Sequence, residues 1–235
     1  MVLNRFRDFS NKILRPFVKK IGLTPNKLTI IGFCFSIIAL ILLLLGKYIP
    51  LYFYLPFKEY FQSYMLFFAG FSIIISGVFD ALDGVVAREK NMVSKFGGFL
   101  DSVLDRYSDS LAMLGVIIMG LCDPFIGILA LIGSLIVSYT RARAESSGVK
   151  NMASIGIAER AERMLILSVS MLIQGSFWGL HCLGITNFIV QSIAYNTLSF
   201  VTIPLLAILT HITVIQRIRF ALKEMKYSKP EDNNE

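Results

Sequence analysis

Apolar residues run in blocks along this chain, and short polar or charged connections separate them. The first block extends from about Leu28 to Leu45, and others cover about 65–86, 98–120, 124–142, 163–184 and 195–215. Each is close to the twenty or so residues that a helix needs to cross a hydrocarbon layer. The pattern predicts an all-α integral membrane protein with six transmembrane helices. Thr24-Pro25 reads as a cap followed by proline at the first helical position, which launches the first span. Before it, Phe6, Phe9, Ile13, Leu14, Phe17 and Val18 alternate with Arg5, Arg7, Lys12, Arg15, Lys19 and Lys20. That mixture predicts an amphipathic interfacial helix, kinked at Pro16, lying on anionic headgroups. The expected organisation is therefore an interfacial helix over 1–22, a six-helix membrane domain over 23–226 and a disordered polar tail over 227–235.

Composition supports the membrane assignment: 55% of the 235 residues are hydrophobic, and mean hydropathy is +0.65. A formal charge of +7 raises the question of nucleic acid, but the basic residues lie between apolar blocks instead of along one polar surface. No nucleic-acid partner is expected. Connections alternate in charge, with a basic N-terminus, a basic Arg88–Lys95, a basic Arg141–Arg163 and a basic tail, and non-basic segments between them. The positive-inside rule then places both termini, and the charged connections that follow the second and fourth spans, in the cytoplasm. The N-terminal segment lacks the apolar core and cleavage site of a signal peptide, so it is expected to stay on the protein. Residues 50–64, rich in Tyr and Phe, suggest a short interfacial helix on the outer side. Cys34, Cys122 and Cys182 show no pairing or zinc spacing and are expected to pack. His181, His211 and Trp178 have the same expectation of packing or interfacial placement.

Chemistry concentrates in FDALDGVVAREKNMVSKFGGFLDSVLDRYSD. Asp80 and Asp83 are three residues apart, and Gly97, Asp101 and Asp105 are each four apart, so each set shares one helical face. Two neighbouring helices can then aim four carboxylates at one point, a cage for hard cations. An acid at membrane depth costs about 3 kcal/mol on insertion scales, so several together require compensation. One such acid is more simply a solvated helix end or an ion pair. Four of them, interleaved with the small residues Gly84, Ala87 and Gly97, favour metal.

Asp80-x-x-Asp83-Gly84-x-x-Ala87-Arg88, eight residues, then Gly97-x-x-x-Asp101-x-x-x-Asp105 resembles the complete signature of the CDP-alcohol phosphotransferase family. The resemblance implies transfer of a phosphatidyl-type group from a CDP-lipid to an alcohol, with release of CMP and a requirement for two Mg²⁺ or Mn²⁺ ions. It implies Asp80, Asp83 and Asp101 as metal ligands and Asp105 as a ligand or the general base. Gly84 would leave room for the nucleotide and Arg88 would contact its phosphates or lock the aspartates. Asn26 and Thr29 resemble the segment beside the CDP pocket, although a plain helix cap explains them equally well. Family members also suggest a homodimer.

Arg141, Arg143, Arg160 and Arg163 lie in SYTRARAESSG and IAERAERMLIL. Clustered arginines bind phosphate through charge-assisted, often bidentate hydrogen bonds, which a neutral acceptor would not need. Pairing with Glu145, Glu159 and Glu162 is the simpler alternative for any one of them. The two segments resemble the inositol-phosphate branch of the family, with an acceptor such as myo-inositol 1-phosphate. Their wording is similar to the archaetidylinositol phosphate synthases, whose donor is CDP-archaeol. Glycerol 3-phosphate is the main rival acceptor. A small ion transporter, the alternative of another class, predicts carboxylates spread through the membrane depth instead of gathered at one face.

Overall fold

The computed structural model describes residues 22–53 and 57–227, so the interfacial helix expected over 1–22 and the tail after Tyr227 lie outside the described residues. The helices are α1 Pro25–Phe53, α2 Lys58–Glu89, α3 Lys95–Met119, α4 Pro124–Ser146, α5 Arg160–Cys182, α6 Phe188–Asn196 and α7 Ile203–Tyr227. A 3-10 turn at Met152–Ser154 precedes α5, and a π-helical turn at Thr197–Thr202 joins α6 to α7. No strand occurs among the described residues. α1, α2, α4 and α5, and the continuous stretch Phe188–Lys226, are long and apolar enough to cross a membrane. α3 has comparable length at 25 residues, but it carries Lys95, Asp101, Asp105, Arg106 and Asp109.

Helix boundaries follow local chemistry. The Ser94 hydroxyl accepts from the Gly97 amide at 3.0 Å to open α3, and Gly120, with φ 82°, closes it. Asp123 accepts from the Ile126 amide at 3.1 Å, and Pro124 sits in the first turn of α4. At α5, the Glu159 amide donates to Glu162 at 3.1 Å within a capping box. α1 and α2 both run further than their apolar blocks because their outer ends are aromatic. Residues 50–53 finish α1 and 58–64 begin α2, so the described part of the segment anticipated as a separate outer interfacial helix over 50–64 forms the ends of two long helices instead.

α2 is central, packing along α1 on one side and α5 on the other, while α3 lies on α1 and α4 pairs with α7. The core is filled by Ala39, Leu43, Leu66, Ala69, Ala112, Val116, Leu167, Met171 and Leu198. Large side chains such as Ile41, Phe68, Phe71, Ile132 and Ile208 instead face outward. An apolar exterior around a core in which Ala39, Ala69 and Ala112 let the helices come close is the arrangement expected where lipid replaces water as solvent. Polar groups inside find one another: Ser36 bonds Ser76 at 2.9 Å, and Gln174 accepts from the Leu198 amide at 2.7 Å in the π turn.

The α2–α5 seam depends on glycine. A Cβ at Gly175 would lie 2.8 Å from the Phe67 backbone nitrogen, and one at Gly70 would lie 2.9 Å from the Ser168 carbonyl oxygen. Because both obstacles are backbone, Gly175→Ala must separate the helices. Overpacking of this kind costs about 1–3 kcal/mol, so the variant is expected to unfold at a lower temperature in detergent, as read by loss of the monodisperse peak after heating.

Candidate active site

Four helix segments meet at one end of the bundle: the start of α1, the last three turns of α2, the first half of α3 and the start of α5. Helical periodicity accounts for the carboxylates. Asp80 and Asp83 lie on successive positions of one α2 face, and Asp101, Asp105 and Asp109 form an i, i+4 ladder on α3. Oxygens of Asp80, Asp101 and Asp105 converge within 4.8 Å of one another.

Asp83 is buried, and its Oδ2 accepts from the Thr29 hydroxyl at 2.6 Å. Thr29 thereby ties α1 to the carboxylate set. The Pro25 carbonyl also lies 3.1 Å from that hydroxyl, but one proton cannot serve both fully, and the shorter, charge-assisted contact to Asp83 is the stronger. Asn26 is placed by another close approach: a Cβ at Gly97 would stand 3.0 Å from its Oδ1. Gly97 therefore lets α3 start against α1. A Cβ at Gly84 would meet the Arg88 guanidinium at 3.3 Å, so Arg88 folds back over the glycine of its own helix.

Arg160 binds the two carboxylate helices together. Its Nη1 lies 2.9 Å from Asp80 Oδ2 and 2.9 Å from Asp105 Oδ1, while its Nε donates to Asp109 Oδ1 at 3.1 Å. Arg163 is 3% exposed; it donates to Asp109 Oδ2 at 3.1 Å and to the Ala158 carbonyl at 2.8 Å. Arg106 sits 3.5 Å from Asp105 Oδ2 and donates to the Ser102 carbonyl at 2.7 Å. Arg141 and Arg143 are exposed at the end of α4. Arg141 pairs with Glu145 at 3.0 Å, and Arg143 reaches the Ser146 hydroxyl at 3.5 Å. Glu159 and Glu162 cap α5 together. The four arginines are thus two pairs with different surroundings, Arg160 and Arg163 among aspartates, Arg141 and Arg143 facing outward.

Two residues escaped sequence reasoning. Asp109 continues the 97, 101, 105 series by one more step of four, so its signal was present. Arg217, counted there only as part of a basic tail, is 3% exposed. It donates to the Ile155 carbonyl at 2.8 Å and to the Val137 carbonyl, pinning the α4–α5 connection to α7. Only the tertiary fold shows that role.

The donor set suits a hard divalent ion. It consists of carboxylate oxygens from two helices, and Asp101 Oδ1 is buried with no hydrogen-bond partner among the described residues. A buried carboxylate oxygen left without a donor is costly, and a cation placed among these groups removes the cost. A crevice beside them is lined by Thr29, Gly32, Asp80, Asp105, Ser108 and Arg160.

Known proteins share both sequence and fold with this chain. It is 37% identical over 169 residues to an archaetidylinositol phosphate synthase of Pyrococcus horikoshii, covering 72% of this chain and 80% of that protein. A second protein of that name, from Methanothermobacter thermautotrophicus, is 32% identical over 166 residues, covering 71% and 75%. A phosphatidylinositol phosphate synthase of Mycobacteroides abscessus is 29% identical over 187 residues, covering 74% and 76%. Among solved structures, the phosphatidylinositol phosphate synthase of Mycobacterium tuberculosis with CDP-DAG bound superposes with a TM-score of 0.64 at 25% identity, over 96% of this chain and 98% of that one. The same enzyme in complex with manganese and citrate gives 0.65 at 25% identity, over 96% and 93%. Residues 22–190 match the family described as CDP-alcohol phosphatidyltransferase. This chain, a membrane protein with its acidic cluster on α2 and α3, belongs to the CDP-alcohol phosphatidyltransferase family.

Proposed function

We propose that this enzyme transfers the phosphatidyl-type group of a CDP-lipid, CDP-archaeol by preference, to myo-inositol 1-phosphate and releases CMP. The observation that carries the reading is the convergence of Asp80, Asp101 and Asp105 within 4.8 Å, with a buried Asp101 oxygen that has no donor among the described residues. Two divalent ions, Mg²⁺ or Mn²⁺, held by Asp80, Asp83, Asp101 and Asp105 would neutralise the pyrophosphate and the departing CMP. The names of the relatives at 37% and 32% identity support an archaetidyl donor and an inositol-phosphate acceptor.

The chemistry asks little else of the protein than position and a proton acceptor. The acceptor hydroxyl oxygen forms a bond to the lipid-side phosphorus of the pyrophosphate, the bond from that phosphorus to the bridging oxygen breaks, and CMP leaves with the electron pair. Asp105 takes the hydroxyl proton. Its carboxylate is oriented for this by Arg106, 3.5 Å from its Oδ2 and itself fixed on the Ser102 carbonyl. Asn26, Thr29, Gly84 and Arg88 lie where α1 meets the end of α2 and form the nucleotide side. The guanidinium groups of Arg141 and Arg143, exposed at the end of α4, are available to the phosphate of the acceptor, with Arg160 on the α5 side, whereas Arg163, buried against Asp109 and the Ala158 carbonyl, supports Arg160 instead of meeting substrate.

Both termini and the site face the cytoplasm in this reading, because the basic connections lie at the site's end of the bundle. Apolar outward faces permit a homodimer within the bilayer. Purified protein in detergent, with Mn²⁺ or Mg²⁺ and either CDP-archaeol or CDP-diacylglycerol, tests the function. CMP release is expected with myo-inositol 1-phosphate and is expected to stop on addition of EDTA. Release driven by glycerol 3-phosphate alone would replace the acceptor, and no release with any phosphorylated alcohol would overturn the reaction.

A further inference from the structure

Arg160 draws on the same oxygens that a cation would. Its Nη1 reaches Asp80 and Asp105, both at 2.9 Å, and these are two of the three carboxylates that converge. A guanidinium and a divalent ion both need the lone pairs facing that point, and two cations there repel each other. The other end of Arg160 is anchored elsewhere. Asp109 is 6% exposed, lies outside the converging three, and divides its oxygens between Arg160 Nε at 3.1 Å and Arg163 Nη2 at 3.1 Å. Arg163 is itself fixed by the Ala158 carbonyl at the foot of α5. Asp109 therefore holds Arg160 by its inner nitrogen while the outer one spans α2 and α3.

We propose that Arg160 competes with the divalent cation for Asp80 and Asp105, and that Asp109 is the positioning residue that limits this competition by keeping part of the guanidinium for itself. The inference rests on the reading of Asp80, Asp101 and Asp105 as cation ligands. The consequence is a site whose metal affinity is deliberately moderated. When an ion occupies the carboxylates, Arg160 stays tethered to Asp109 and its outer nitrogens turn to the phosphates brought by substrate. Loading of metal and binding of phosphate are then linked through one side chain.

Mn²⁺ binding to the full-length protein in detergent, followed by the loss of the free-ion electron paramagnetic resonance signal, reads this without catalysis. Arg160→Gln is expected to tighten Mn²⁺ binding by about tenfold. Arg160→Lys keeps the charge but cannot hold Asp109 and bridge two carboxylates at once, so it is expected to tighten binding by about threefold. Asp109→Asn is expected to weaken binding by about threefold in the unaltered background and to change it less than about twofold beside Arg160→Gln. Unchanged affinity in Arg160→Gln overturns the competition, and unchanged affinity in Arg160→Lys reduces it to a charge effect and overturns the bridging role. Equal weakening by Asp109→Asn in both backgrounds overturns the positioning role. If Asp109→Asn does not fold, the two Arg160 variants decide the proposal alone. Absence of any Mn²⁺ uptake by the unaltered protein would instead remove the metal reading of the aspartates, which separates the two failures.

Discussion

Asp105→Asn is expected to lower acceptor-dependent CMP release by about a thousandfold, inside the 10²–10⁴ range typical of a removed general base. The substitution keeps shape and one acceptor oxygen, so Arg160 retains Asp80 and Asp109 as partners and the bundle stays assembled. What disappears is the basic oxygen. The loss should fall on kcat, with the KM for the CDP-lipid changed little, because the nucleotide side proposed above lies on α1 and the end of α2, away from Asp105. Thermal unfolding in detergent supplies the control. A variant that retains its melting temperature and still turns over within tenfold of the unaltered rate would remove Asp105 from the base role and leave it as a ligand only.

The carboxylates were legible because helical spacing is local information. Positions 80 and 83, and 97, 101 and 105, fix which residues share a face before any helix is packed. The same rule reaches Asp109, one step further along. The span pattern was likewise readable, since a lipid-facing surface leaves apolar blocks that no soluble core requires. The α3 segment shows the limit of that signal. It is long enough to cross but carries Lys95, Asp101, Asp105, Arg106 and Asp109, so it is not among the helices apolar enough to be read as spans from composition. Partners across helices were not legible. Arg160 meets Asp80 and Asp105 from a different helix, and nothing in ERAER distinguishes an arginine bound to aspartate from one facing an incoming phosphate. Nor did sequence show that Glu159 and Glu162 would cap α5 together instead of pairing with arginines. The outer connection misled for a related reason: aromatic residues at 50–64 suit an interfacial helix and the ends of two long helices equally, and only packing of α1 on α2 chooses.

Arg163, buried among protein groups, and Arg143, proposed above to meet the acceptor phosphate, are expected to give alanine variants that differ in kind. Arg163 is buried at 3% exposure and pairs with Asp109, itself 6% exposed. Removing one partner of such a pair strands the other in a poorly solvated place, which costs about 3–5 kcal/mol. For a chain of this size that corresponds to a fall of about 10 °C in the unfolding midpoint. Asp109 keeps Arg160 as a second partner, so the cost should lie at the lower end of the range, and Asp109→Ala combined with Arg163→Ala should cost less than the two separately. Arg143 is exposed, and among the described residues its side chain has only the long contact to Ser146 at 3.5 Å. Arg143→Ala should leave the midpoint where it is and raise the KM for myo-inositol 1-phosphate by about tenfold or more, the effect of losing one charge-assisted hydrogen bond to phosphate. The KM for the CDP-lipid should hold in the same variant. Equal rises for both substrates would move Arg143 out of the acceptor pocket, and an unshifted midpoint in Arg163→Ala would show that the Asp109 pair does not hold α5 against α3.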